Sequence, residues 1–289
     1  RNKIEALSGE QYFLEEARFG YDQKTHKIEV GKPIGQFYGY KTLGLYQVED
    51  FDYNAKDQTY TLKEGIPYMS GTFNRSDIRP GMWKFDDRNG DKVIDDSDMT
   101  VIGNANPDFY GGLNNQFKYK GWDFSFFFTF SYGGEVLNAT KLTNTKTATT
   151  NYSVLNIANS SNRWMTVNSE GQLITDPEEM AAINAGRTVA CIYDMEMGDK
   201  YIHSWAVEDA SYLRLSNLSL GYTFDRKKLR KFNVQSLRLY FTGSNLFVWT
   251  PYSGFDPEVS TKGNSLTPGV DYGAYPRNRS YVFGLNITF

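Results

Sequence analysis

WDFSFFFTFSY, residues 122–132, decides how this chain is read. Trp122, Phe124, Phe126, Phe128, Phe130 and Tyr132 fall on one side, and Asp123, Ser125, Phe127, Thr129 and Ser131 on the other. That is the period of a strand and not of a helix. One face is aromatic; the other is polar apart from Phe127. A soluble sandwich would turn the aromatic face into a shared core, whereas a membrane barrel turns it to lipid and leaves the polar face to a wet lumen. Alternation alone does not separate the two, but length helps. Eleven residues at roughly 3.3 Å each, tilted near 45°, span about 25 Å, the height of the apolar band of an outer-membrane barrel. A sandwich strand is usually about half that long.

The neighbouring segments repeat the pattern. In DFYGGLNNQFKY, Phe109, Leu113, Phe117 and Tyr119 oppose Asn114, Gln116 and Lys118, and the two-residue step Lys120-Gly121 makes a tight hairpin with the 122–132 strand. SLRLYFTGSNLFVW sets Leu237, Leu239, Phe241, Phe247 and Trp249 against Arg238, Tyr240, Thr242 and Ser244. The last nine residues put Tyr281, Phe283, Leu285, Ile287 and Phe289 on one face. In SYLRLSNLSLGYTF, Leu218, Leu220, Tyr222 and Phe224 share a parity that Leu213 and Leu215 lack, which predicts a bulge near Ser216 and Asn217. With QYFLEEARFGY and GQFYGYKTLGLYQ as weaker candidates, about seven or eight long strands are expected.

The connections are uneven. Lys120-Gly121 is minimal and 225–235 is modest, while 49–107, 136–204 and 250–278 are long, polar and rich in Asn, Asp, Gly and Ser. Compact soluble domains rarely carry such long connections, but a transmembrane barrel has short periplasmic turns and long extracellular loops. Within the second, DPEEMAAINAGR carries an Asp cap, Pro at the first helical position and Gly near the end, so a short helix is expected there.

Composition narrows the function classes. With 31 Lys and Arg against 34 Asp and Glu, no global basic field attracts nucleic acid. One cysteine, Cys191, excludes an internal disulfide and a Cys-based zinc cage, and His26 and His203 lack ligand spacing. The mean hydropathy is −0.54 and there is no run of 18 apolar residues, so strands are the remaining way to span a membrane. RNKIEALSGE shows no leader pattern, so either a signal has been removed or the chain starts inside a longer one. No nucleophile elbow, phosphate loop or zinc-protease motif is present, and no enzymatic activity is expected.

Two local constellations stand out. In DDRNGDKVIDDSD, residues 86–98, Asp87, Asn89, Asp91, Val93, Asp95 and Asp98 occupy positions one, three, five, seven, nine and twelve of a calcium loop. Lys92 stands where such loops have Gly, and Asp98 replaces the longer Glu. The two readings are a structural calcium that stiffens an outer loop and an Asn-Gly turn on a solvated acidic loop; no cofactor is otherwise required. RKKLRK, residues 226–231, has five basic residues in six, which suits a nuclear signal, a phosphate-binding patch or a solvated periplasmic turn between two strands.

Several segments together resemble the C-terminal part of the SusC/RagA family of TonB-dependent outer-membrane transporters. They are GKPIGQFYGYKTLGLYQ, then residues 79–134 from RPGMWKF to SYGG, ASYLRLSNLSLGYTF, LRLYFTGSNLFVWTPYSGFDPEV and DYGAYPRNRSYVFGLNITF. The resemblance implies the C-terminal portion of a 22-stranded, all-β, antiparallel transmembrane barrel in the outer membrane of a Gram-negative bacterium. It further implies a plug, energy from the TonB complex, a SusD-like lipoprotein partner, and oligosaccharide or peptide cargo. The terminal pattern ending in Phe289 is similar to the family's barrel-assembly signal. No plug or TonB box is legible in residues 1–289, so the expectation is a barrel segment that needs the remaining strands, the plug and outer-membrane lipid around it. By parity, Asn114, Asp123, Arg238 and Tyr240 face the lumen, where with Tyr252, Tyr272 and Tyr275 of the loops they are the candidate cargo contacts. The rival class is a secreted β-sandwich glycan-binding module, which requires the aromatic faces to meet in a dry core.

Overall fold

A computed structural model describes residues 2–17, 24–145, 154–191, 201–261 and 264–289. The chain divides into two compact units, and each is taken by itself. No helix among the described residues is long and apolar enough to cross a membrane.

The first unit takes in Asn106–Val136, Glu208–Val259 and Ala274–Phe289. Its framework is a five-stranded antiparallel sheet in the order Ser280–Thr288, Ser236–Trp249, Tyr212–Thr223, Trp122–Tyr132, Phe109–Tyr119. The hairpin closes as its sequence requires. Lys120 and Gly121 adopt φ of 44° and 87°, the left-handed pair of a two-residue turn whose twist matches the strands it joins. Tyr119 therefore faces Trp122, and the pairing runs unbroken to Phe109 against Tyr132.

The bulge also lies where the parity change placed it. Against Tyr212–Thr223, the 122–132 strand shifts register between Phe127 and Phe128, and the shift is taken up on the far side between Leu215 and Asn217. Ser216, the extra residue, holds the Thr129 hydroxyl at 2.7 Å. This single insertion returns Leu213 and Leu215 to the same face as Leu218 and Leu220, because two residues on one strand then oppose one on its partner.

The consequence is a continuous apolar face. Phe124 aligns with Phe117 and Leu220, Leu220 with Phe241, and Phe241 with Phe283. These residues form no dry core. Phe109, Leu113, Phe117, Trp122, Leu239, Phe247, Trp249, Tyr281, Phe283 and Leu285 are all exposed, Phe283 at 79%. An exposed apolar area this large is foreign to a water-facing sheet, so the sandwich alternative fails on burial.

Among the described residues fewer long strands form than the expected seven or eight. The other unit takes in Arg1–Ala105, Leu137–Val207 and Ser260–Gly273, and there QYFLEEARFGY contributes only Tyr12–Glu15, its residues 18–21 lying outside the described ones. GQFYGYKTLGLYQ splits into Gln36–Gly39 and Thr42–Leu45. The first half joins a four-stranded sheet with Tyr12–Glu15, His26–Glu29 and Thr100–Asn104, while the second pairs with Trp83–Phe85. The break comes where the Tyr40 amide bonds the Ile202 carbonyl and a Cβ on Gly39 would strike that same carbonyl. Another segment fills the space in which a longer strand would continue.

The long connections were expected to be polar, yet 49–107 and 136–204 supply hydrophobic cores. Phe51, Leu62, Ile78, Met82, Trp83, Phe85 and Trp164 pack with Tyr46 in one cluster, and Leu137, Leu142, Ile202 and Ala206 pack with Phe37 and Val270 in another. The apolar residues are spaced irregularly through polar sequence, so no period reveals them. His26 and His203 are both buried in this unit, where desolvation holds them neutral at pKa values of about 4 and about 3. The expected helix forms as Pro177–Asn184, with the Asp176 carboxylate accepting the Glu179 amide at 2.8 Å. Residues 250–278 are divided between the two units.

The Lys120-Gly121 turn carries a direct test. A Cβ on Gly121 would lie 2.6 Å from the Thr223 carbonyl oxygen, at a φ that side chains rarely adopt. Gly121→Ala is expected to destabilise the sheet by about 1–2 kcal/mol, read as a lower denaturant midpoint of the complete protein.

Candidate functional site

The polar face of the sheet holds the first group of candidate residues. Arg238 grips Asp123 through two nitrogens, Nη2 at 2.6 Å and Nε at 3.3 Å. The pair spans the intervening strand because Gly221 lies beneath it; a Cβ there would come within 2.6 Å of both side chains. Arg238 also lies over the Tyr240 ring at 5.2 Å, and that ring covers Gly284. Two glycines thus let three large polar side chains lie flat along the wall. The strands therefore bring Asp123, Arg238 and Tyr240 together. Asn114 is further along, opposite Phe127.

Phe127 has a local partner. Its ring covers Gly112, where a Cβ would approach it to 2.8 Å. This accounts for an aromatic residue among polar neighbours, Asn217 and Asn114.

The three loop tyrosines differ in exposure. Tyr252 is buried, Tyr272 is half-buried against the cluster around Phe37, and Tyr275 is 85% exposed. Tyr252 and Tyr275 belong to the sheet unit and Tyr272 to the other.

An ion network that the sequence reading missed sits at one end of the sheet. Arg214 is 4% exposed and reaches Asp256, itself 5% exposed, at 2.7 Å and Glu258 at 3.1 Å; Arg277 meets Glu258 at 3.0 Å and Asp256 at 3.8 Å. Two loop segments, 254–258 and 274–277, are thereby tied to one strand. The available signal was an arginine in a strand and an Asp-Pro-Glu step after another, but nothing in their spacing pairs them.

The acidic loop is held by its own backbone. Asp87 accepts the Gly90 and Lys92 amides at 2.8 and 2.9 Å, Asp91 accepts the Val93 amide at 2.8 Å, and Asp95 accepts the Ser97 amide at 2.8 Å. Asp98 is fully buried, accepting the Arg88 and Asp95 amides at 2.8 and 3.0 Å. The Ser97 hydroxyl and amide hold the Asp95 carboxyl below the usual range. Lys92 takes the left-handed conformation, φ 71°, expected of a glycine. Among the described residues, no three His, Cys, Asp or Glu side chains converge in an arrangement that holds a metal. Beside this loop a cleft is lined by Tyr40, Ser70, Thr72, Asp95, Asp96, Ser97 and Tyr201, with the Tyr40 hydroxyl 3.3 Å from Asp96.

The final strand presents Tyr281, Phe283, Leu285 and Ile287 on its exposed apolar face, followed by exposed Phe289.

Long antiparallel strands, a lipid-like apolar face and a polar face crossed by paired charges define the wall of a membrane β-barrel. A scan of protein-family models finds no match. Curated proteins do match: the chain is 34% identical over 296 residues to TonB-dependent receptor P3 of Formosa agariphila, covering 100% of this chain and 26% of that protein. It is 31% identical to TonB-dependent receptor P39 of the same organism, covering 93% of this chain and 26% of that one, and 30% identical to TonB-dependent receptor SusC of Bacteroides thetaiotaomicron, covering 71% and 17%. Among solved structures, the RagAB peptide importer in its closed-closed state superposes with a TM-score of 0.60 at 18% identity, over 99% of this chain and 26% of that one. The open-open state gives 0.57, over 99% and 25%. The chain belongs to the SusC/RagA family of TonB-dependent receptors and spans about a quarter of the length of the curated relatives P3 and P39. The relatives bear the names of receptors, not of enzymes.

Replacing Arg214 with Met leaves Asp256 buried without its closest cation, so this variant is expected to lose about 3 kcal/mol. Arg277→Gln, at a half-exposed position, is expected to cost under about 1 kcal/mol. Denaturation of the complete protein gives both values, and protease cleavage within 250–259 should rise only in the first.

Proposed function

We propose that this chain is the C-terminal wall of a 22-stranded outer-membrane barrel, and that the whole protein is an active nutrient importer. The observation that carries this reading is the exposed aromatic face opposed to a polar one across five long strands, joined to the match of this chain over all its length with 26% of TonB-dependent receptor P3. Such a sheet is stable in lipid only when its two edge strands are paired, because unpaired backbone groups have no water to bond. The rest of the protein supplies the other strands, a plug and the contact with the TonB complex. Residues 49–107, 136–204 and 250–278 serve as extracellular loops, and a SusD-like lipoprotein is the outer partner. Cargo is an oligosaccharide or a peptide, passing a wall on which Asp123, Arg238, Tyr240 and Asn114 present charge and hydrogen-bonding groups, with exposed Tyr275 as a loop contact. The aromatic pattern of Tyr281, Phe283, Leu285, Ile287 and Phe289 acts as the barrel-assembly signal.

The complete protein is expected in the outer-membrane fraction of a Gram-negative host, with a heat-modifiable band on unboiled gels and TonB-dependent uptake of labelled oligosaccharide or oligopeptide. A freely soluble protein, or uptake unaffected by loss of TonB, would overturn the assignment.

For the acidic loop we propose a structural calcium whose binding draws Asp87, Asn89, Asp91, Asp95, Asp98 and the Val93 carbonyl together, out of the arrangement in which the carboxylates cap the loop's own amides. The support is their spacing and the left-handed turn at Gly90 and Lys92. Calcium is expected to raise the Tm of the complete protein over that in chelator, and Asp91→Asn to abolish the rise. An unchanged Tm in the unaltered protein refutes the site.

A further inference from the structure

The basic run 226–231 has no place in the transport reading, and its setting assigns it one. Arg226–Leu229 forms a helical turn that continues through Arg230–Phe232, and Asn233, at φ 55°, reverses the chain towards the strand that starts at Ser236. Leu229 is buried and pins the turn, while Arg226, Lys227, Lys228, Arg230 and Lys231 are all exposed. Among the described residues none of these five is ion-paired. The adjacent Asp225 carboxylate accepts the Lys227 amide.

The cations lie at the end of the sheet where the apolar face finishes in aromatic rings. Trp122 and Tyr222 are 4.7 Å apart, Tyr222 and Phe224 4.9 Å, and Lys120 lies 5.1 Å over Tyr119. The Thr223 amide bonds the Gly121 carbonyl, which fixes the two turns side by side. Phe232, within the basic turn, is 74% exposed. Amphipathic rings sit at the headgroup level of a bilayer, and clustered Lys and Arg beside them meet the phosphodiesters. A soluble phosphate would need the cations alone. The adjoining belt and exposed Phe232 select a lipid.

We propose that residues 226–232 are a cationic interfacial anchor binding anionic phospholipid headgroups in the leaflet at the short-turn end. The proposal rests on the reading of the sheet as barrel wall. The complete protein, purified with mixed phosphatidylglycerol and phosphatidylcholine, is expected to retain phosphatidylglycerol preferentially by native mass spectrometry. Changing all five basic residues to Gln should remove that preference, roughly fivefold in affinity per charge at low salt, and rising ionic strength should weaken it in the unaltered protein. A variant with every Lys and Arg of the run exchanged for the other should keep it. If the fivefold variant does not assemble, Arg226→Gln and Lys231→Gln singly should each show a partial loss.

Heat-modifiable migration separates the two levels. A complete protein that never migrates as a folded barrel overturns the barrel reading. Folded variants that retain phosphatidylglycerol undiminished overturn the anchor, as does displacement of the lipid by millimolar inorganic phosphate. Capture of an acidic periplasmic protein by the run, with no lipid preference, also overturns it.

Discussion

The backbone pairing between Trp122–Tyr132 and its two neighbours is the interaction on which the sheet depends. Side chains alternate with a period of two, so a slip of one residue would send Phe124, Phe126, Phe128 and Phe130 to the polar face and Asp123 to the apolar one. Register is held at one end by the two left-handed residues of the Lys120-Gly121 turn and in the middle by the insertion at Ser216. Each is a local backbone feature with an effect across several strands. The turn sets the first pairing, and the insertion lets the leucines on both sides of it share a face. Together they produce one uninterrupted apolar surface from Phe109 to Ile287.

The two faces are built on different principles. On the apolar face, rings meet rings along the strands and across them, as with Phe117, Phe124 and Phe126, and area is what matters. On the polar face the decisive residues are glycines. Gly221 and Gly284 leave room for Arg238, Asp123 and Tyr240 to lie along the wall, and Gly112 receives Phe127. Large polar side chains are kept close to the surface by the absence of side chains beneath them. The half-exposed Asp123–Arg238 pair gives shape and charge distribution to the wall more than stability. The nearly buried Arg214–Asp256 pair ties loop to strand.

The other unit solves a different problem. Its short strands cannot stabilise themselves, and two packed clusters hold them, one around Tyr46, Trp83 and Trp164 and one around Phe37, Leu137 and Ile202. Polar side chains complete the packing where backbone groups would otherwise be unpaired: buried Asn184 accepts the Met165 amide at 2.6 Å and donates to the Met165 carbonyl at 2.9 Å. The acidic loop follows the same rule, with carboxylates serving backbone amides.

The sequence by itself determined the long strands, their two faces, the hairpin, the bulge and the capped helix, because each is written in residues that are neighbours along the chain. A strand announces itself by alternation, a tight turn by two residues, a cap by Asp176 before Pro177. The resemblance stretches likewise pointed to the family. Only the tertiary structure decided that GQFYGYKTLGLYQ serves two sheets, that Asp123 pairs with Arg238 over Gly221, that Arg214 is answered by Asp256 and Glu258, and that the long polar connections enclose cores. These depend on residues scores of positions apart coming into contact, and the packing that brings them together leaves no period or spacing in the chain.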